Sequence, residues 1–165
     1  LSAAEWRKGI ESFQGVLRRQ EIRGVSPRGV TIIDDFAHHP TAVRETLKAL
    51  RMGFPRARLW AVYEPRTNTS RRKVFQKAYA ESFGNADEVI IAGVDKPEKV
   101  AEAERLDPAQ LVGDLKEHGR NACFIETVDE IVEHLKKRAQ KGDAIACLSN
   151  GGFGGIHRKL LEGIA

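Results

Sequence analysis

Three stretches of this chain place chemically capable residues where an apolar run stops. "IIDDFAHHP" passes from two isoleucines to Asp34 and Asp35, then to Phe36, His38 and His39 before Pro40. "YEPRTNTSRRK" carries Glu64, Arg66, Asn68, Arg71 and Arg72, and "LSNGGFGG" carries Asn150, Gly151 and Gly152. Aspartate and histidine together can ligate a metal. They can equally cap the helix that Pro40 opens, or an aspartate at a strand end can accept hydrogen bonds from a ribose diol. No further His or Cys motif at ligand spacing supports the metal, so none is expected. Arg71 and Arg72 stand at the start of an expected helix, where the dipole prefers acids, which points to a bound carboxylate or phosphate. The glycines permit close approach of backbone to a ligand. Neither G-x-x-x-x-G-K-[ST] nor G-x-G-x-x-G with its acidic partner is present, so the phosphates of any nucleotide would be held by something else.

These stretches need elements to position them. Five short, continuously apolar, Val- and Ile-rich runs read as strands buried on both faces: 29–35, 58–65, 87–94, 121–127 and 143–150. A sixth, "EIRGV" (21–25), is separated from the first of these by "SPRG" and predicts an antiparallel hairpin at a sheet edge. Helices are expected between them. One starts at Pro40 and buries Val43, Leu47 and Leu50. One over 70–84 turns Val74, Phe75, Ala78 and Phe83 inward and ends at Gly84 as cap. Others follow Asp107, the Thr127–Glu130 capping box and the glycine run, and one opens the chain. The segment 95–107 reads as a solvated excursion. The fold class is therefore α/β: a three-layer, Rossmann-like single domain with a mostly parallel six-stranded sheet, one antiparallel edge strand and helices on both faces. In such sheets ligands bind beyond the carboxyl ends of the strands, where all three stretches fall, joined by Gly93–Asp95 and Glu126–Thr127.

Composition narrows the classes. The chain has 165 residues and a net charge of +4, which permits anionic ligands without demanding nucleic acid. It has no RNP-like motif, zinc-finger spacing or arginine-rich tail. No apolar run approaches the ~20 residues of a membrane span, and the first residues lack the form of a secretory signal. Cys123 and Cys147 lie in apolar strand runs, as reduced core residues of a cytoplasmic protein would. The first residue is not methionine, as in a piece of a longer chain. A phospho-receiver module would need a lysine ending its last strand, where this chain has Ser149-Asn150-Gly151. A metal hydrolase on the Asp/His cluster remains as a rival, separable by elemental analysis.

The stretches together resemble one family. "FQGVLRRQE" (13–21) resembles the F-x-G-x-x-x-R-x-E segment of the C-terminal domain of the Mur ligases, and "IDDFAHHPTAV" resembles its D-D-Y-x-H-H-P block. The likeness runs from Phe13 to the last helix. "EPRTNTSRRKVFQ" and "SNGGFGGIHRKLL" are similar to members that ligate a peptide. Members that add L-alanine, the alternative, usually carry Tyr at the position of Phe36 and Q-P-H-R-Y at 64–68.

The resemblance implies an ATP-dependent ligase of peptidoglycan metabolism. Such an enzyme joins a murein tripeptide, L-alanyl-γ-D-glutamyl-meso-diaminopimelate, to UDP-N-acetylmuramate through an acyl phosphate. ATP and Mg2+ would serve the full-length enzyme, with the P-loop and metal ligands in a central domain and UDP on an N-terminal one. This chain would be the third domain, inactive alone, with no catalytic residue of its own. The resemblance assigns Asp35, with Asp34 as fallback, to the ribose and Arg19 to the phosphates. Phe36, His38, His39, Glu64, Arg66, Asn68, Arg71, Arg72 and the Asn150–Gly152 loop would face the peptide.

Overall fold

The computed structural model describes residues 2–13 and 15–165; Gln14, within the "FQGVLRRQE" segment, lies outside the described residues. Six strands form one sheet: β1 (Glu21–Val25), β2 (Thr31–Asp35), β3 (Leu59–Tyr63), β4 (Glu88–Ala92), β5 (Asn121–Ile125) and β6 (Ala144–Leu148). Their order is β1-β2-β6-β3-β4-β5. β1 pairs antiparallel with β2 and every other pairing is parallel. The expected α/β class, with its antiparallel edge strand, is what the chain adopts.

The strands are apolar on both sides because both sides are covered. Ile33, Ala61, Tyr63, Ile91, Ala146 and Leu148 face one layer, made by α2 (Pro40–Gly53), α3 (Gln76–Ser82) and α4 (Pro108–Glu117). Ile32, Trp60, Val62, Ile90, Ile145 and Cys147 face the other, made by α5 (Val128–Arg138) and α6 (Ile156–Gly163). Successive residues of a strand point to opposite faces, which divides each run between the two cores. Among the described residues no helix is long and apolar enough to cross a membrane.

The caps follow the expected chemistry. Asp107 accepts from the N–H groups of Ala109 and Gln110, and Thr127 and Glu130 close a capping box. His39 caps α2 through its ring nitrogen, with Pro40 as first helical residue. The opening helix, α1 (Ala3–Glu11), is capped by Ser2 and Glu5 but buries none of its residues.

Three expectations need correction. The helix over 70–84 is shorter: a 3-10 turn at Lys73–Phe75 precedes α3, leaving Val74 exposed and Ala78 half-buried. Phe83 is buried and Phe75 packs against the core as expected; the other inward positions are Gln76, Tyr79, Ala80 and Ser82, because the tighter turn shifts the helical phase. Gly84 follows the cap residue Phe83 without the left-handed backbone of a glycine cap. The segment 95–107 is largely exposed, as expected of a solvated excursion, and is anchored by buried Val100 and Leu106, with Leu106 N–H bonded to the Arg71 carbonyl at 2.7 Å. Cys147 is fully buried as expected, whereas Cys123 is half-buried on edge strand β5.

The α2 face carries much of the first core. Leu47 is wholly buried, so Leu47→Ala is expected to lower the unfolding free energy by about 2–5 kcal/mol, read by urea denaturation of both proteins.

Candidate functional site

The five parallel strands end on one edge. In spatial order the rim carries Asp34-Asp35, then Ser149–Gly152, Glu64–Arg66, Gly93–Asp95 and Glu126. The last strand in sequence, β6, lies between β2 and β3 and brings the glycine-rich loop between the other two stretches.

Asp35 is buried and held by its own chain. Its Oδ2 accepts from Gln20 N–H at 2.8 Å, and its Oδ1 accepts from Ala37 N–H at 2.7 Å and Thr46 Oγ1 at 3.2 Å. It pins the segment before β1 to the turn after β2. Asp34 is also buried. Arg18 Nε approaches its Oδ2 at 3.3 Å, and His157 Nε2 stands 3.4 Å from its Oδ1 without the alignment of a hydrogen bond. Burial pushes the Asp34 carboxyl up. The polar contact and charge of His157, with the Arg18 guanidinium, outweigh it and hold the carboxyl below its ordinary range. The buried Oδ1 of Asn150 has no hydrogen-bond partner among the described residues.

The turn after Asp35 is fixed from beneath. The phenols of Tyr63 and Tyr79 both donate to the His38 carbonyl, at 3.1 and 2.6 Å. Burial pushes the Tyr79 phenol up to about 12 and raises that of Tyr63 as well, so both remain donors. The His38 ring is half-buried, with Nδ1 2.9 Å from the Phe36 carbonyl. That contact makes Nδ1 the donor and leaves Nε2 as the ring's acceptor in the neutral form. His39 is exposed and stands edge-on to Phe75. Arg18 and Arg19 both lie over the Phe36 ring, each 5.3 Å from its centroid, and Arg19 is exposed.

Glu64 continues β3 and is buried, and Ser149 Oγ donates to its Oε2. Burial raises the Glu64 carboxyl; Ser149 and Arg66 oppose that rise. Arg66 is about one-third exposed, with carboxylate oxygens of Glu64 and Asp95 no nearer than 3.8 and 4.0 Å. Its side chain lies across Gly151: a Cβ there would sit 2.3 Å from Arg66 Nε. A side chain at 151 would displace the Arg66 guanidinium from its present place.

Arg71 and Arg72 differ from the picture of an anion site at a helix start. Arg71 is buried, donating from Nη2 to Asp95 Oδ2 at 3.0 Å and from Nη1 to Asn68 Oδ1 at 3.2 Å. Arg72 pairs with Glu104. Both precede the helix and already have carboxylate partners within the chain. Asn68 is exposed at the same turn, and Gly152 is exposed at the tip of its loop. Among the described residues no group of three or more His, Cys, Asp or Glu could hold a metal ion.

Arg18, Tyr79 and His157 stand at the rim and were not singled out from the sequence, and Ser149, noted there only as a strand end, bridges two strand ends. Arg18 carried a signal, since it adjoins Arg19 in the segment before β1. The other three act through contacts between residues far apart in the chain, for which periodicity gives no sign.

An α/β sheet whose parallel strands end in a rim of carboxylates, guanidiniums and glycine turns belongs to the doubly wound class, in which ligands bind beyond the carboxyl ends of the strands. The model of the family "Mur ligase, glutamate ligase domain" matches residues 18–151. The chain belongs to the Mur ligase family and is its C-terminal domain. It is 42% identical to the UDP-N-acetylmuramate–L-alanyl-γ-D-glutamyl-meso-2,6-diaminoheptandioate ligase of Escherichia coli K12, over all of this chain and 34% of that protein. It is 35% identical to the UDP-N-acetylmuramate–L-alanine ligase of Acetivibrio thermocellus, over 88% of this chain and 30% of that protein. Among solved structures, a murein peptide ligase from Psychrobacter arcticus superposes with a TM-score of 0.71 at 32% identity, covering 93% of this chain and 31% of that one. A domain described as from a UDP-N-acetylmuramate:L-alanyl-γ-D-glutamyl-diaminopimelate ligase of Haemophilus ducreyi gives 0.69 at 36% identity, covering 89% of this chain and all of that one. The chain spans about a third of the curated relatives it matches.

The Asp34 environment makes a testable statement. Its carboxyl is lowered in the folded state from an ordinary value of 3.8. The stabilisation is therefore complete above that value and is lost as pH falls through the lowered one. The stability difference between the wild type and Asp34→Asn is expected to be present at about pH 5 and to shrink as pH falls below about 4. Urea unfolding across this range measures it; a difference independent of pH would remove Asp34 as its source.

Proposed function

We propose that this chain is the C-terminal third of a murein peptide ligase. The enzyme joins L-alanyl-γ-D-glutamyl-meso-diaminopimelate to UDP-N-acetylmuramate at the expense of ATP, in the cytoplasm, during peptidoglycan recycling. The observation that carries this is the 42% identity extending over the whole chain to a ligase of that description. The remaining two thirds of the protein would hold the UDP-binding and ATP-binding domains, with the P-loop and the Mg2+ ligands that this chain lacks.

In this reading the muramyl carboxylate takes the γ-phosphoryl group of ATP with release of ADP, and the peptide amine then attacks the acyl carbon, forming the amide as inorganic phosphate leaves. The rim closes over the reacting groups and excludes water from the acyl phosphate. Arg19, exposed and steadied over Phe36, meets the phosphates. A ribose hydroxyl would reach the remaining lone pairs of Asp35, whose other contacts hold the turn on which the nucleotide rests. His38, Glu64, Arg66 and the Asn150–Gly152 loop receive the peptide. Arg71 and Arg72 shape the rim through Asp95 and Glu104 rather than meeting the peptide first.

The experiment is turnover by the full-length enzyme with the tripeptide and with free L-alanine in competition. The tripeptide is expected to have the higher kcat/KM. Preference for L-alanine would instead make this the corresponding domain of a UDP-N-acetylmuramate–L-alanine ligase, the reading that the 35% identity to that enzyme favours.

A further inference from the structure

The turn between β2 and α2 is held by two buried phenols. The backbone bonds of α2 begin at the His39 carbonyl, which accepts from Val43 N–H at 2.9 Å. The His38 carbonyl lies one residue outside that ladder. It accepts instead from Tyr79 Oη at 2.6 Å and from Tyr63 Oη at 3.1 Å, the first on α3 and the second ending β3. Both tyrosines are wholly buried, with ring centroids 5.1 Å apart. A carbonyl oxygen has two lone pairs, and the two phenols occupy both. The His38 ring is fixed as well. Its Nδ1 lies 2.9 Å from the Phe36 carbonyl, and it stands edge-on to the Phe36 ring at 5.3 Å. Phe36 is anchored in turn by its N–H on the Arg18 carbonyl. The other ring nitrogen, Nε2, has no hydrogen-bond partner among the described residues. Buried side-chain polar atoms without a partner are Asp34 Oδ1, Asn150 Oδ1 and His157 Nε2, so His38 Nε2 is accessible at the strand-end edge.

We infer that Tyr63 and Tyr79 are positioning residues: they hold the His38 turn so that the ring keeps its proton on Nδ1 and offers Nε2 at the rim as acceptor to a donor group of the bound ligand. The fixing of the ring stands on the geometry alone. Which ligand supplies the donor rests on the reading above, where it is the incoming peptide. The Nδ1–H bond to the Phe36 carbonyl needs both ends of a three-residue turn to stay in place, and the phenols fix the end that the α2 ladder leaves free. Neutral imidazole accepts through one nitrogen only, so a looser turn that let the ring change tautomer would withdraw the acceptor from the ligand. Tyrosine suits this work because its hydroxyl is carried on a rigid ring with two side-chain torsions, and ordering it costs little entropy.

Two measurements test this. The first is the imidazole 1H–15N spectrum of this chain, taken at a pH well above the ordinary histidine range. His38 is expected to be protonated at Nδ1 and bare at Nε2. The double variant Tyr63→Phe/Tyr79→Phe removes both hydroxyls and keeps both rings. In it the ratio of the Nδ1–H to the Nε2–H form is expected to fall at least about fivefold. A wild-type ring protonated at Nε2, or an unchanged ratio in the folded double variant, overturns the inference. The second measurement is a double-mutant cycle in the full-length enzyme. Removing both hydroxyls is expected to lower kcat/KM for the tripeptide at least about fivefold in the wild-type background, and less than about twofold where His38→Ala has already removed the ring. Phenols that only stabilised the fold would act alike in both backgrounds, so equal factors overturn the inference. If the wild type does not use the tripeptide, the ligase reading falls and the tautomer measurement decides alone. If the double variant does not fold, Tyr63→Phe, which breaks the longer of the two bonds, takes its place in both measurements.

Discussion

The site depends on where β6 inserts. The strand last in sequence lies between β2 and β3, apolar and buried on both faces, with Ala144 to Leu148 in register against both neighbours. Burial of Ile145, Cys147 and Leu148 between two helical layers makes that position favourable over an edge. Once there, the loop that follows must emerge between Asp34-Asp35 and Glu64–Arg66. Ser149 then reaches both sides, its N–H on the Asp35 carbonyl and its hydroxyl on Glu64.

The rim divides into groups that hold shape and groups that remain available. Asp35 accepts three hydrogen bonds from within the chain, and Arg71 is buried against Asp95 and Asn68. Such groups are costly to bury unpaired, and pairing makes them rigid fixtures. Arg19 and Arg66 are the more exposed, with weaker engagement. A rim that has already satisfied its buried charges can present the remaining ones with little reorganisation when a ligand arrives.

The segment before β1 is joined to the site as closely as the strand ends are. Arg18 and Gln20 adopt positive φ, at 56° and 49°, an uncommon conformation for residues with a Cβ. The backbone is held there by Gln20 N–H on Asp35, Arg18 N–H on Glu21 and Phe36 N–H on the Arg18 carbonyl. Residues 18–21, the end of the run "FQGVLRRQE", are thereby part of the rim's structure as well as of a sequence signature.

Much of this was legible in the residues themselves. Continuous apolar runs define strands covered on both faces, Pro40, Asp107 and Thr127 mark helix starts, and polar residues at strand ends mark the polar rim of the sheet, because each of these is a local physical preference. The start of α3 was not legible. A 3-10 turn at Lys73–Phe75 is chosen by the docking of Arg71 and Arg72 onto the 95–105 segment, a contact between distant parts of the chain. Nor could spacing show which charges were already paired. Strand order is likewise silent in a linear pattern, since the same runs satisfy local rules in several arrangements. Only the tertiary structure placed β6 between β2 and β3, and with it Arg18 beneath the glycine loop. The reason is that burial of a two-faced strand and pairing of the half-buried Arg18 guanidinium are decided by neighbours more than a hundred residues away in the chain.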